Sequence, residues 1–262
     1  MGDLVGHYTR NPEDDRLAAG PGLLERDRTR DVLSRFLPAA PARVADVGGG
    51  SGVYATWLAS QGYRIDLVDL VPRHVERARE LLAGGTAAVA DARALPFADG
   101  GHDAVILLGP LYHLVSREDR LRALSEARRI ARPGAPIVAA AISRFASALD
   151  GLARRLIDDP VFRDIVDRDL SDGRHENPTD HPDYFTTAYF HRPEELRPEM
   201  EAAGLRDVTV LAVEGPAWLL PDLGARWQDE RHRALVCELL RRIEAEPALH
   251  GASAHLLAIG RR

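Results

Sequence analysis

Val44-Ala45-Asp46-Val47-Gly48-Gly49-Gly50-Ser51-Gly52 decides how this chain folds. The apolar run over residues 43–48 predicts a short strand that ends in a turn of small residues. Glycines at 48, 50 and 52 let the backbone reverse sharply and pass close to a ligand. A helix predicted over residues 53–61 begins directly after them, so its free amides and positive dipole end face whatever the turn holds. A dinucleotide fingerprint has its third glycine five positions after the first. Here Val53 occupies that position and the glycine stands at 52. Taken alone, the turn is also compatible with a structural bend or a nicotinamide site.

Outward from this turn the chain alternates strands and helices. Strands are predicted over 64–69, 87–90, 103–108 and 136–142, and helices over 72–82 and 118–131. Pro72 suits a first helical position, and Ser116 with Asp119 resembles a capping box. The alternation predicts an α/β fold: a doubly wound, Rossmann-like parallel sheet with helices on both faces. Ligands of such sheets bind beyond the carboxyl ends of the strands, where strand order reverses. The pattern breaks over 143–191, where helical stretches at 148–156 and 161–170 run into a polar, histidine-rich loop. It resumes with a helix at 193–203, a strand at 207–213, a helix at 226–243 and a strand at 253–259. The last two strands suit an antiparallel hairpin at the edge of a seven-stranded sheet. The expected organisation is an N-terminal helical cap over 1–40, a core over 41–142, a substrate-lid insertion over 143–191 and the rest of the core over 192–262.

Acids stand at successive strand ends. Asp69 closes the second strand 21 residues after Gly48, where a carboxylate accepts hydrogen bonds from both ribose hydroxyls. Asp66 is the rival acid, but it falls inside the strand. Asp91 follows the third strand; a lone aspartate there also reads as a helix cap. The segment Ala90-Asp91-Ala92-Arg93-Ala94-Leu95-Pro96-Phe97, followed by His102-Asp103-Ala104-Val105, resembles the D-A-x-x-L-P-F … F-D-x-V stretch of class I S-adenosylmethionine (SAM)-dependent methyltransferases. The G-x-G-x-G spacing behind Asp46 resembles their first motif. The likeness holds in motif detail over roughly residues 40–142 and as strand pattern beyond.

This resemblance implies SAM as cofactor and S-adenosyl-L-homocysteine as product. It implies that Gly48, Gly49 and Gly50, with Asp46 behind them, pass the methionine part of the cofactor. Asp69 would take the ribose, with Leu70 beside it, and Asp91 the adenine amino group, while the Ala92 amide faces a ring nitrogen. Leu108, at the end of the fourth strand, is counted with the same wall. Tyr8 and Arg16 resemble residues that family members fold over the SAM carboxylate, although an ordinary surface tyrosine and arginine remain an open reading. His102 stands where the family usually has an aromatic residue, a departure that touches packing rather than the cofactor.

The stretch Leu107-Leu108-Gly109-Pro110-Leu111-Tyr112-His113-Leu114 borders the transferable methyl group in this fold. Enzymes that methylate planar nitrogens carry a polar residue, two prolines and an aromatic there. Gly109 and Leu111 replace the polar residue and one proline, which disfavours methylation of nucleic-acid bases or of glutamine. Methyl transfer is an in-line displacement that mainly needs the nucleophile held about 3 Å from the methyl carbon. His113 is the candidate base where the acceptor carries a proton, and it reads equally as a structural histidine. Tyr112 is a candidate pocket wall. The aromatic and histidine cluster over 181–191 resembles a lid, with His181, Tyr184 and His191 as candidate substrate contacts, or else a hydrophobic hinge. Trp218 is placed to stack on a flat substrate or to join the core. His181, Asp183 and His191 match no strong metal spacing, so no metal is expected.

Composition narrows the function classes. The 262 residues carry a net charge of −6 without a basic stripe, which disfavours a nucleic-acid partner. All 34 basic residues are arginine, which excludes lysine chemistry and reads as the codon bias of a GC-rich bacterial genome. The single cysteine, Cys237, forms no internal disulfide and reads as a small core residue. The absence of an apolar leader or spanning run predicts a cytoplasmic protein with no membrane partner, monomeric or homodimeric. The function these features predict is methylation of a small molecule at O, N or C. A SAM-binding accessory protein without catalysis is the alternative, and a nicotinamide-dependent oxidoreductase is a more distant one.

Overall fold

A computed structural model describes residues 16–82, 84–179 and 181–262. The apolar runs of the first half form five parallel strands: β1 (Arg43–Val47), β2 (Arg64–Asp69), β3 (Thr86–Val89), β4 (Ala104–Leu107) and β5 (Pro136–Ser143). They lie in the order β3-β2-β1-β4-β5, so strand order reverses between β1 and β4. That reversal opens the crevice where ligands of such sheets bind.

Two short strands come from the 143–191 segment, β6 (Arg174–His175) and β7 (Ala188–His191), which pair antiparallel. The late strands β8 (Arg206–Ala212) and β9 (His255–Arg261) form the antiparallel hairpin expected, with β9 against β5. On β5, Ile137–Ala139 pair with β4, while β9 holds the other edge as far as Ile142. β7 pairs parallel at Ile142 and Ser143, so it takes over the β4 edge just beyond the end of β4. Among the described residues the sheet therefore has nine strands rather than seven, because the insertion adds two that sit above the crevice.

Side chains alternate across the sheet, as strand geometry requires. Val44, Ile65, Leu67, Ala104 and Ile106 face one side, where they meet α1 (Pro21–Phe36), α2 (Val53–Ser60) and α3 (Pro72–Leu81) through Val32, Leu33, Leu58 and Val75. Ala45, Val47, Val105 and Leu107 face the other side. A four-residue turn of helix, α4 (Pro110–His113), leads to α5 (Arg117–Ile130), which supplies Ala123, Leu124, Ala127 and Ile130 to that second face. Ser116 gives α5 no side-chain cap, and Asp119 instead pairs with Arg93 at 2.9 Å.

The insertion holds α6 (Ala146–Arg154) and α7 (Pro160–Asp172), the latter capped by Asp159 accepting from the Val161 amide. α8 (Pro193–Ala202) returns to the sheet and packs Leu196 and Met200 beside α5. The helix expected over 226–243 is split into α9 (Leu223–Arg226) and α10 (Glu230–Ile243), because Asp229 caps α10 through the Arg231 and His232 amides. α11 (Pro247–His250) leads into β9. No described helix is long and apolar enough to cross a membrane.

Candidate active site

The glycine turn is forced by its neighbours. Gly48 has φ of +70°, and a Cβ there would lie 2.4 Å from the Pro110 ring. A Cβ on Gly49 would lie 2.6 Å from Asp46 Oδ2. The Gly50 amide donates to Asp69 Oδ2 at 2.9 Å, which ties the turn to the end of β2. Asp69 Oδ1 accepts from the Val71 amide at 2.8 Å and lies 3.3 Å from His74 Nδ1. Asp46 is buried, and its Oδ2 has no hydrogen-bond partner among the described residues. Burial, with the Asp69 charge adding to it, pushes the Asp46 carboxyl up to about 7.

These groups line a cavity of about 530 Å³. Of the residues predicted to meet the cofactor, Asp46, Gly48, Gly49, Gly50, Asp69 and Leu70 are on its wall. Arg16, Ala92 and Leu108 are there too. Tyr8 lies outside the described residues. Asp91 does not line the cavity: its carboxylate is turned onto Arg93, with Nη2 at 2.6 Å and the Arg93 amide at 2.9 Å. Those hydrogen bonds hold the Asp91 carboxyl below its usual range. Arg93 takes its place on the wall and bridges to Asp119.

Past the end of β4 the cavity continues between α4 and the insertion. The Tyr112 hydroxyl donates to the Leu108 carbonyl at 3.2 Å, and its ring meets His113 edge-on at 4.7 Å. His113 lies 3.5 Å from the Thr187 carbonyl and stacks on Phe185 at 6.0 Å. Both Tyr112 and His113 line the cavity, and the insertion contributes Thr186 and Thr187.

The other four candidate substrate contacts are not on this wall. His181 is exposed and stacks on Tyr184 at 4.2 Å. Tyr184 is buried in the insertion's own small core with Phe162 and Ile165, and its hydroxyl donates to Asp159 at 2.5 Å. His191 is fully buried and lies 3.3 Å from Glu199; burial pulls its pKa down. Trp218 donates its indole N–H to the Ala252 carbonyl at 2.9 Å and packs with Leu24 and Trp227. Within the insertion, histidines also serve as local hydrogen-bond partners. His175, for instance, joins Asp169 at 2.8 Å to the Tyr184 carbonyl at 2.7 Å and stacks on Phe190.

The wall also holds residues that the sequence did not announce. His255, the first residue of β9, and Glu25, on α1, both line the cavity. His255 Nδ1 lies 2.6 Å from Glu214 Oε1 and 3.7 Å from Glu25 Oε2. Buried Glu214 accepts from the Ser253 hydroxyl at 2.8 Å and from the His255 amide at 2.9 Å through its other oxygen. Both Glu25 oxygens accept from the Arg16 guanidinium. One ligand atom from each of Glu25, Glu214 and His255 falls within 4.8 Å of the others, but arginine, serine and backbone donors already occupy the carboxylates. Burial opposes ionisation of Glu25, yet Arg16 and His255 outweigh it and bring its pKa to about 2.

The fold is that of class I SAM-dependent methyltransferases. Residues 44–134 match a family model described as a methyltransferase domain. An uncharacterized methyltransferase of Mycobacterium tuberculosis is 34% identical over 116 residues, covering 43% of this chain and 46% of that one. The human "Probable tRNA methyltransferase 9B" is 34% identical over 111 residues, covering 42% of this chain and 23% of that one. The chain thus spans less than half the length of these curated relatives. A solved Thermotoga maritima structure, described as a SAM-dependent methyltransferase and possible histamine N-methyltransferase, superposes with a TM-score of 0.62. It is 18% identical and covers 98% of each chain, a likeness of fold alone.

Proposed function

We propose that this chain methylates a small molecule bound beside the cofactor in the one cavity described above. What supports this reading most is the reach of that cavity, from Asp69 at the end of β2 to His255 on β9. Strands are spaced about 4.8 Å apart, so the four steps β2-β1-β4-β5-β9 span about 19 Å, enough for a nucleoside-sized cofactor and an acceptor end to end. A volume of about 530 Å³ is within the range of small-molecule sites.

SAM supplies a methyl group already activated on a sulfonium. The protein's part is placement. Asp69, fixed by the Gly50 and Val71 amides, presents its carboxylate to the ribose hydroxyls. The Asp46 carboxylate, on the cavity wall, takes the ammonium of the methionine part, with Arg16 on the same wall for the carboxylate. Ala92 and Arg93 border the base. Tyr112, His113, Thr186 and Thr187 bound the acceptor beyond Leu108. The net charge of −6 favours a small acceptor over a polyanion.

Calorimetry tests the cofactor half: SAM binds the wild type, and Asp69→Ala abolishes binding. Unchanged binding in that variant contradicts the assignment. Incubation with labelled SAM and a metabolite panel tests the acceptor half. Label transferred to tRNA and to none of the small molecules overturns it.

A further inference from the structure

We propose that the acceptor is an acidic hydroxyl, a phenol or enol bound as its anion, and that His255 holds the oxygen. The inference rests on the methyl-transfer reading above and specifies the substrate class of that site.

Three features of the far wall carry it. The first is position. β9 runs antiparallel to β5 and pairs His255 with Ile142, so His255 stands at the carboxyl end of the parallel strands. Two strand spacings separate β9 from β4, about 10 Å, which leaves room for one ring between His255 and the end of β4. The floor of that gap includes Ala140, Val213 and Leu257, which is apolar and suits a flat ring.

The second feature is orientation. Glu214 is 2% exposed and grips His255 twice, at Nδ1 and at the backbone amide. The ring lines the cavity, and Nε2 makes no hydrogen bond among the described residues. A histidine whose Nδ1–H is given to a buried carboxylate presents Nε2 in a fixed direction.

The third is charge. The groups that face the ring are Glu214 after β8, Glu25 on α1, and Arg16, which pairs with Glu25. Burial and Arg16 oppose protonation, but the two carboxylates outweigh them and raise the imidazole to about 9. Near neutral pH the ring is an imidazolium, and Nε2–H is a donor with no acceptor capacity. It cannot accept the N–H of an amine, and it forms a charge-assisted hydrogen bond to an oxyanion. The acceptor gives up its proton to solvent on binding. Its oxygen lone pair then forms the O–CH₃ bond, the methyl–sulfur bond breaks with its electron pair going to sulfur, and the imidazolium keeps its proton.

The test uses 4-nitrophenol, 7-hydroxycoumarin and 4-hydroxycoumarin as probes, with S-adenosylhomocysteine present, at a pH below each probe's own pKa. In the wild type at least one probe shows the absorbance or fluorescence of its anion on binding. His255→Asn removes that signal at least tenfold while calorimetric SAM binding is kept. His255→Gln serves where the first variant loses SAM binding. Glu214→Gln, a change at a positioning residue, lowers the alkaline pH above which probe binding, followed by calorimetry, is lost. Failure of the wild type to bind SAM sinks the underlying methyltransferase reading instead. No anion signal in a wild type that binds SAM overturns the proposal, as does an unchanged signal in both His255 variants. Turnover that stops with EDTA and returns with a divalent cation also overturns it, by making the cluster a metal site.

Discussion

Asp46 is a residue whose cost and use point in opposite directions. Its carboxyl is raised from 3.8 to about 7 by burial and by Asp69. A carboxyl raised in the folded state stabilises the fold fully below pH 3.8, and that contribution is lost as pH rises through about 7. Over that window the loss is on the order of 4 kcal/mol. Asp46→Asn therefore raises the thermal midpoint of the ligand-free protein at pH 8 and leaves it little changed at pH 4. On the proposed reading the same substitution removes the partner of the cofactor's ammonium, and SAM binding is expected to weaken about tenfold, on the order of 1.4 kcal/mol. Melting curves at the two pH values, with and without SAM, check both halves. A variant that melts lower at pH 8 contradicts the account of an uncompensated buried carboxylate.

Between elements, α1 is fastened to the end of α10 by charge. Arg28 is fully buried and donates to Asp31 at 2.6 Å, to the Val213 carbonyl at 3.1 Å and to Glu244. Arg35 donates to the other Glu244 oxygen at 2.6 Å. Arg28→Ala leaves Glu244 and Asp31 short of a cation and costs about 3–5 kcal/mol of stability, read from urea unfolding midpoints. Such long-range pairings separate what the sequence revealed from what it hid. The glycine turn, Asp46 and Asp69 were legible because their geometry is set within a few neighbouring residues. Asp91 was legible as a strand-end acid, but not as one claimed by Arg93 two positions on. The cluster over 181–191 read as a lid, yet His191 and Tyr184 are held by Glu199 and Asp159, on α8 and before α7. Glu25, Glu214 and His255 carried no local signal, because they meet only when the lead-in helix closes over the sheet edge.

For the molecule as a whole, charge and the cavity act together. A net charge of −6 repels polyanions, and the cavity reaches across the sheet from the β2 end to β9. Mobility-shift titration with unfractionated tRNA at low salt is expected to show no complex, although salt that low favours any electrostatic binding. On the proposed reading, the crevice at the β1–β4 reversal holds one adenosyl cofactor between Asp69 and Asp46. A crystal structure with S-adenosylhomocysteine tests it most directly. The ligand is expected in that crevice, with its ribose hydroxyls on Asp69 and its ammonium at Asp46. An empty crevice at saturating ligand, or a ligand bound with both carboxylates turned away from it, would contradict the account.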